Sequence, residues 1–305
     1  MLYNVQVIMS TYNGEKYIRE QIQSIFNQKE CNVSLLIRDD GSTDKTIEII
    51  KELSLNYNIE LIQGKNLRAA KSFLEAVKFS DEEKDFFAFS DQDDIWLENK
   101  LVNAILMLKK YNKGIAVYAS NLTAVNEEKQ IIKDKILPEN FSLEYKNLLI
   151  KSQHLFGCTM VFNKSMRDFI KKQNPEKPMM HDIWIALMAT LKGKIIYDNN
   201  SYIYYRQHAN NQVGANVSIK EKIKNRWLLF NGKDKKIISN QAKDIYEIIK
   251  NDKEISTEIV EYTEIVANYD KSLRNKLRYL LKVSKKNMSV KQLIFHIILV
   301  LKGYF

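Results

Sequence analysis

The sequence predicts an α/β protein, a Rossmann-like and mostly parallel sheet followed by a helical C-terminal region. Three observations predict it. Over the first 120 residues, short β-rich runs alternate with helix-patterned ones. The predicted strands end in polar or acidic residues. Beyond about residue 216 the pattern is helical and basic to the end. The predicted division is a first domain over residues 1–215 and a C-terminal region over 216–305.

Each element follows from its own spacing. Val5–Met9 (VQVIM) is a β-rich run. Tyr17–Gln28 places Ile18, Ile22, Ile25 and Phe26 at helical intervals. Val33–Arg38 (VSLLIR) reads as a buried strand that ends at Asp39 and Asp40. GSTDKTIEIIKEL then opens on capping residues and continues as a helix. Ile59–Ile62 is a third strand, Ala69–Phe79 a helix, and Phe86–Phe89 a fourth strand. Leu97–Tyr111 is a helix and Ile115–Ala119 a fifth strand. Such alternation builds a parallel sheet covered by helices on both faces. After residue 120 the rhythm loosens, with strands near Thr159–Phe162, Ile195–Tyr197 and Tyr202–Tyr205 and a helix near Asp182–Leu191.

A Rossmann-like sheet is a nucleotide-binding architecture, and its ligands sit beyond the carboxyl ends of the strands. Those ends carry Ser10-Thr11-Tyr12-Asn13, Asp39-Asp40, and the stretch FSDQDDIW from Phe89 to Trp96. The last gathers Asp91, Asp93 and Asp94 in a chain of formal net charge +10. Helix capping accounts for Asp94, Ser42, Thr43 and Asp44. It leaves Asp91 and Asp93 unexplained. Two apart in an extended segment, they point the same way. Together they suit Mg²⁺ or Mn²⁺, with diphosphate oxygens completing the coordination. Asp39 and Asp40 follow a buried strand directly, where a carboxylate can accept the N–H of a pyrimidine. Tyr12 can stack on a base. HDIW (His181–Trp184) opens a helix, and Asp182 is either its cap or a general base. YYRQHANN (Tyr204–Asn211) places Arg206 against phosphate and His208 against metal or phosphate, unless the histidine is structural.

Composition narrows the class. Hydrophobic residues make up 45% and charged residues 28% of the 305, which is ordinary for a globular protein. Two cysteines are too few for a disulfide framework and fit a reducing compartment. The start, MLYNVQVIMSTYNG, reads as a strand and not as a secretory leader, so secretion is not expected. From Lys271 to Phe305 there are nine Lys or Arg and no Asp or Glu, which is +9 of the +10. A nucleic-acid enzyme would carry that charge around its cleft. A basic tail instead predicts contact with a phosphate-rich surface. Leu293–Leu301 (LIFHIILVL) is too short to span a bilayer. With Lys282, Lys285, Lys286 and Lys291 it can lie in the interface, or it can pack against the domain or a second subunit.

In order and spacing, TYNGE, DDGSTD, SDQDDIW and the later HD resemble the inverting family 2 glycosyltransferases of the glycosyltransferase-A fold. The resemblance covers about residues 1–215. LIRDDGSTD, FSDQDDIW, MHDIWIALMA and YRQHANNQVGA look closer to the bacterial rhamnosyltransferases that build surface polysaccharides from dTDP-rhamnose. The resemblance implies that Ser10, Thr11 and Tyr12 line the base pocket. It implies that Asp40 accepts from the pyrimidine N3–H, with Asp39 beside it, and that Arg68 reaches the nucleotide. Asp91 would face ribose and diphosphate, Asp93 would hold Mg²⁺ or Mn²⁺ with His208 as a further contact, and Asp182 would be the catalytic base. The implied partners are a dTDP- or UDP-linked sugar donor and a lipid-linked glycan acceptor, with a homodimer possible. The implied location is cytoplasmic, peripheral on the inner face of the bacterial membrane. The QxxRW motif of processive synthases is replaced by Asn225-Arg226-Trp227 without the glutamine, which points to one sugar per encounter.

Four rival readings stand beside this one. A nucleotidyltransferase would show a glycine-rich basic loop near its start, and a P-loop enzyme GxxxxGK[ST]; neither is in the sequence. A non-catalytic nucleotide- and membrane-binding module would leave the acid clusters idle. A UDP-hexose transferase of the same fold shares every motif.

Overall fold

The computed structural model describes residues 2–111, 114–138, 142–151, 155–176, 178–208, 236–282 and 290–303. They form two compact units. One comprises Met1–Asn174 with Met180–Ala215, the other Pro175–Met179 with Asn216–Phe305.

The first unit is built on a nine-stranded sheet. Its strands are β1 (Tyr3–Thr11), β2 (Cys31–Asp39), β3 (Ile59–Gln63), β4 (Phe86–Ser90), β5 (Ile95–Trp96), β6 (Ile115–Val125), β7 (Ile131–Lys133), β8 (Val161–Asn163) and β9 (Gly193–Arg206). Their order is β3-β2-β1-β4-β8-β6-β9-β5, with β7 against β6. β1 to β4 pair in parallel, and β8 runs antiparallel between β4 and β6. Helices α1 (Ile18–Phe26), α2 (Thr46–Leu53), α3 (Arg68–Lys78) and α4 (Lys100–Lys109) connect the first strands; α5 (Tyr145–Lys151), α6 (Lys164–Lys171) and α7 (His181–Lys192) follow.

The central strands are apolar on both faces because both faces are covered. Val5, Val7 and Met9 of β1 share one core cluster with Ile18, Ile22 and Ile25 of α1 and Leu101 and Ile105 of α4. On the other face Phe89 of β4 meets the Phe73 ring of α3 edge-on at 5.4 Å. Truncating one of these buried isoleucines to alanine would cost about 2–5 kcal/mol. Sheet register then brings the loops together: Thr11 lies beside Asp39, and Met9 beside Ser90. The polar ends of three strands therefore meet at one edge.

Two elements differ from expectation. β6 runs on from Ala119 to Val125, and the two strands expected at 195–197 and 202–205 are one strand, β9. The polar stretch DNNS at 198–201 lies between the two expected strands. In the fold its groups are satisfied from the neighbouring strand. Asp198 Oδ2 accepts from the Tyr118 and Tyr202 hydroxyls at 3.1 and 3.2 Å, and Asn121 Nδ2 donates to Asn199 Oδ1. The parallel pairing of β6 and β9 shifts register there and continues.

The second unit holds α8 (Ile237–Ile249), α9 (Thr257–Asn268), α10 (Leu273–Lys282) and α11 (Val290–Lys302). Ser256 caps α9 by accepting the Ile259 N–H. Tyr269, Tyr279 and His296 are buried among these helices. No helix among the described residues is long and apolar enough to cross a membrane. Asn225, Arg226, Trp227, Lys285 and Lys286 lie outside the described residues.

Candidate active site

At the strand-end edge a cavity of about 730 Å³ opens. Ser10, Thr11, Tyr12, Asp40, Arg68, Asp91, Asp93, Asp182 and His208 line it, whereas Asp39 and Arg206 do not. The site has a wall formed by two strand-end loops, an acidic loop and a helix that carries Asp182.

The wall is made by the loops after β1 and β2. Asn13 stands in a left-handed turn, and the two loops are stitched backbone to side chain. Asn13 N–H donates to Ser42 Oγ at 2.9 Å and Gly14 N–H to Thr46 Oγ1 at 2.7 Å. Asp39 closes its own loop. Its carboxylate accepts from Thr11 Oγ1, Gly41 N–H, Ser42 N–H and Ser42 Oγ, which accounts for its absence from the cavity wall. Asp40 is buried and does face the cavity. It pairs with Arg38 and accepts the Leu67 N–H at 2.9 Å. A carboxylate has about four lone-pair positions, so capacity for a ligand N–H remains. Tyr12 is half exposed at the rim, and Arg68 opens α3 with a left-handed backbone.

The acidic loop follows β4. The chain bends at Gln92 and Asp93, so the expected extended segment is corrected: β4 ends at Ser90. Asp91 and Asp93 nevertheless both line the cavity. His208 Nε2 lies 2.8 Å from Asp93 Oδ2, and the His208 ring stacks on Tyr17 at 5.0 Å. Arg206 does not meet the cavity. Its Nε donates to the Asp93 carbonyl, Nη1 to the Glu127 carbonyl and Nη2 to Glu20 at 2.6 Å. The guanidinium is consumed in fixing the loop, which corrects the expectation that it contacts phosphate.

Do these residues suit a hard divalent cation? One cluster, Asp91, Asp94 and Cys158, brings ligand atoms within 4.8 Å of one another. Burial pushes the Cys158 thiol well up, so it stays protonated, and a thiol is a soft ligand. That cluster does not fit Mg²⁺ or Mn²⁺. Asp91, Asp93 and His208, which line the cavity, are of the right donor class, since carboxylates and imidazole suit Mn²⁺ and carboxylates suit Mg²⁺. Charge balance points the same way. Burial, and then the charges of Asp93 and Asp182, push the Asp91 carboxyl up to about 7. Carboxylates crowded in this way gain by sharing a cation.

Asp182 stands in the first turn of α7, across the cavity. Its Oδ2 accepts the Gly157 N–H at 3.0 Å and its Oδ1 the Ile183 N–H at 2.7 Å. Burial pushes its carboxyl up to about 6, against those two hydrogen bonds.

Four contributors escaped the sequence reading. Gln92 clips the acidic loop to β1, accepting from Tyr12 N–H at 2.9 Å and donating to the Tyr12 carbonyl at 3.1 Å. His181 is a wall of the cavity, stacked on Phe73 at 4.0 Å. Burial holds its imidazole neutral, down to about 3, and neither ring nitrogen has a hydrogen-bond partner among the described residues. Gly157 admits it: a Cβ there would lie 2.4 Å from His181 Nε2. Lys100, fully buried behind the loop, sits 3.7 Å from the Trp96 ring centre. HDIW was a visible signal for His181. A lone glutamine, glycine or lysine carries none.

Residues 6–170 match the family model of Glycosyl transferase family 2. The chain belongs to this family. It is 36% identical over 246 residues to a dTDP-rhamnosyl transferase, RfbG, of Shigella flexneri, covering 73% of this chain and 79% of that one. It is 29% identical over 192 residues to the UDP-Glc:alpha-D-GlcNAc-diphosphoundecaprenol beta-1,3-glucosyltransferase WfgD of Escherichia coli, covering 61% and 70%. Among solved structures it resembles S. aureus TarS 1-349 in complex with UDP-GlcNAc, with a TM-score of 0.61 at 17% identity over 99% of this chain and 82% of that chain. It also resembles the mannosyltransferase PcManGT from Pyrobaculum calidifontis in complex with GDP-Man and Mn2+, with a TM-score of 0.55 at 14% identity over 100% and 81%. The fold is glycosyltransferase-A, and the protein is a sugar-transferring enzyme.

Proposed function

We propose that this family 2 enzyme transfers rhamnose from dTDP-rhamnose, with inversion, to a growing cell-surface polysaccharide or lipid-linked glycan. The observation that supports an inverting transfer is that one buried carboxylate, Asp182, and the Asp91–Asp93 loop line a single cavity. The donor choice rests on the 36% identity to a named dTDP-rhamnosyl transferase. A lipid-linked acceptor is supported by the WfgD relative, whose name specifies a diphosphoundecaprenol-linked sugar. That same relative favours the second reading, a UDP-hexose transferase of the same fold.

The chemistry follows from the placement. Ser10, Tyr12 and Asp40 receive the nucleotide base, and Asp91 faces ribose and diphosphate. Asp93, with His208, would hold Mg²⁺ or Mn²⁺, which supplies charge neutralisation for a departing diphosphate. Asp182 takes the proton of an acceptor hydroxyl. That oxygen forms its bond to the anomeric carbon from the face opposite the diphosphate, whose own bond to the carbon breaks as the nucleotide leaves. One displacement inverts the centre, and no enzyme nucleophile is used. A carboxyl poised near 6 is charged at neutral pH yet basic enough to accept the proton. His181 offers a neutral donor and acceptor to sugar hydroxyls beside it.

A donor screen with purified protein and Mg²⁺ or Mn²⁺, following nucleotide diphosphate release, tests the reading. Turnover of dTDP-rhamnose above UDP-glucose is expected. Preference for UDP-hexose selects the second reading, and release without any metal dependence removes the cation from the mechanism.

A further inference from the structure

The basic tail folds into α10 and α11, and these helices expose more apolar surface than single scattered residues would. Leu273, Leu277 and Leu281 repeat at intervals of four along α10, so they share one face. Ile294, Ile298 and Leu301, spaced by four and three, likewise share one face of α11. All six are between 43% and 66% exposed. The opposite faces are already used: Tyr279 and His296 are buried, with the hydroxyl 3.1 Å from His296 Nε2. The helices are also joined at one end, where Lys276 Nζ donates to the Leu301 carbonyl at 2.7 Å. Two packed helices thus present two apolar stripes. Such stripes mark a contact surface.

Charge selects the partner. Residues 271–305 hold nine basic and no acidic residues. Arg278 and Lys282 are held by Glu261 of α9 at 2.9 and 2.5 Å. Lys271 and Arg274, exposed at the start of α10, are positioned for an external anion. A second copy of the chain would bring a second basic face against the first, and like charges would oppose the contact. An anionic lipid surface meets both demands, apolar depth for the leucines and phosphate for the lysines and arginines. At 10 and 13 residues, neither helix reaches the ~20 needed to span.

We propose that the α10–α11 pair is an in-plane docking face for an anionic phospholipid bilayer. The leucine and isoleucine stripes enter the acyl boundary, and the basic residues contact the headgroup phosphates. The proposal does not depend on the donor sugar, and its readout needs no transfer activity.

Co-sedimentation of the full-length protein with vesicles tests it. Vesicles of phosphatidylcholine with phosphatidylglycerol are compared with pure phosphatidylcholine at low salt and at on the order of 0.5 M salt. The wild type is expected on the anionic vesicles at low salt and to be weakened by high salt. Leu277→Asp with Leu281→Asp should reduce apparent affinity roughly tenfold or more. Lys271→Glu with Arg274→Glu should reduce it as well, and it keeps the test decisive should the first variant misfold by circular dichroism. Absence of anionic-vesicle binding at low salt overturns the proposal. So does binding that ignores the leucine substitutions, or a leucine variant whose only change is a smaller mass by light scattering, the sign that a second copy covers the face.

Discussion

Two acidic loops flank β1, and they treat their carboxylates in opposite ways. The loop after β2 satisfies its acids internally. Asp39 takes four hydrogen bonds from Thr11, Gly41 and Ser42, and Asp40 is neutralised by Arg38. The loop after β4 does so only in part. Asp93 meets His208, but among the described residues Asp94 Oδ2 is buried without a hydrogen-bond partner, and Asp91 is pushed up to about 7 by burial and by the charges of Asp93 and Asp182. Paired acid is scaffold, holding a pocket in shape before any ligand arrives. Crowded acid is a demand for positive charge, which the ligand side must supply. Composition treats the two loops alike; only the geometry of their partners separates them.

The largest expected effect lies opposite the crowded loop. Asp182→Asn should lower turnover by roughly 10²–10⁴-fold while nucleotide affinity is kept. In the wild type, turnover should fall as pH drops through about 6, because the protonated acid cannot accept a proton. A pH–rate profile flat down to pH 5, or an Asn variant that loses nucleotide affinity and keeps its turnover, removes Asp182 from the role of base.

Next come the loops themselves. Asp93→Ala should depress transfer by at least ~100-fold, the scale of losing a main electrostatic stabiliser. It should leave the melting temperature nearly unchanged, because it also relieves repulsion on Asp91. Mn²⁺ should raise the melting temperature of the wild type and not of this variant. Asp39→Ala should behave in reverse, costing about 2–4 kcal/mol of stability through four lost buried hydrogen bonds. Denaturant melts of the two variants compare them directly. Equal destabilisation by both would erase the distinction between scaffold and demand.

The smallest effect concerns the clip between the regions. Gln92→Ala removes two hydrogen bonds to the Tyr12 backbone and should weaken nucleotide binding by roughly fivefold, measured by calorimetry. An unchanged affinity would mean that β1 holds Tyr12 unaided.

The sheet was readable because buried parallel strands and amphipathic helices carry strong periodicities, and the strand-end acids were readable because charge there has few structural excuses. What the sequence hid was partnership. Asp39 and Asp40 are neighbours in DDGSTD, yet one turns into the loop and the other faces the cavity. Arg206 looked like a phosphate ligand because its two acceptor carbonyls and Glu20 are remote in sequence. The single strand across DNNS was hidden because its hydrogen-bond partners, Tyr118 and Asn121, belong to a strand some eighty residues earlier. A single residue type at an isolated position, such as Gly157 beneath His181, announces nothing until the close approach is seen.

The helix that carries Asp182 is buried on every side from His181 to Ala189. A helix enclosed in this way cannot pivot to follow a substrate. On the proposed role of Asp182 as base, the carboxylate is a fixed reference point, and the acceptor must bring its reactive hydroxyl to it. Regiochemistry then belongs to the mouth of the cavity, which decides how the acceptor sugar is turned, and not to adjustment of the base. Linkage analysis of products made with different accepted donors should return one and the same acceptor position: an enzyme tolerant in what it gives and strict in where it gives it.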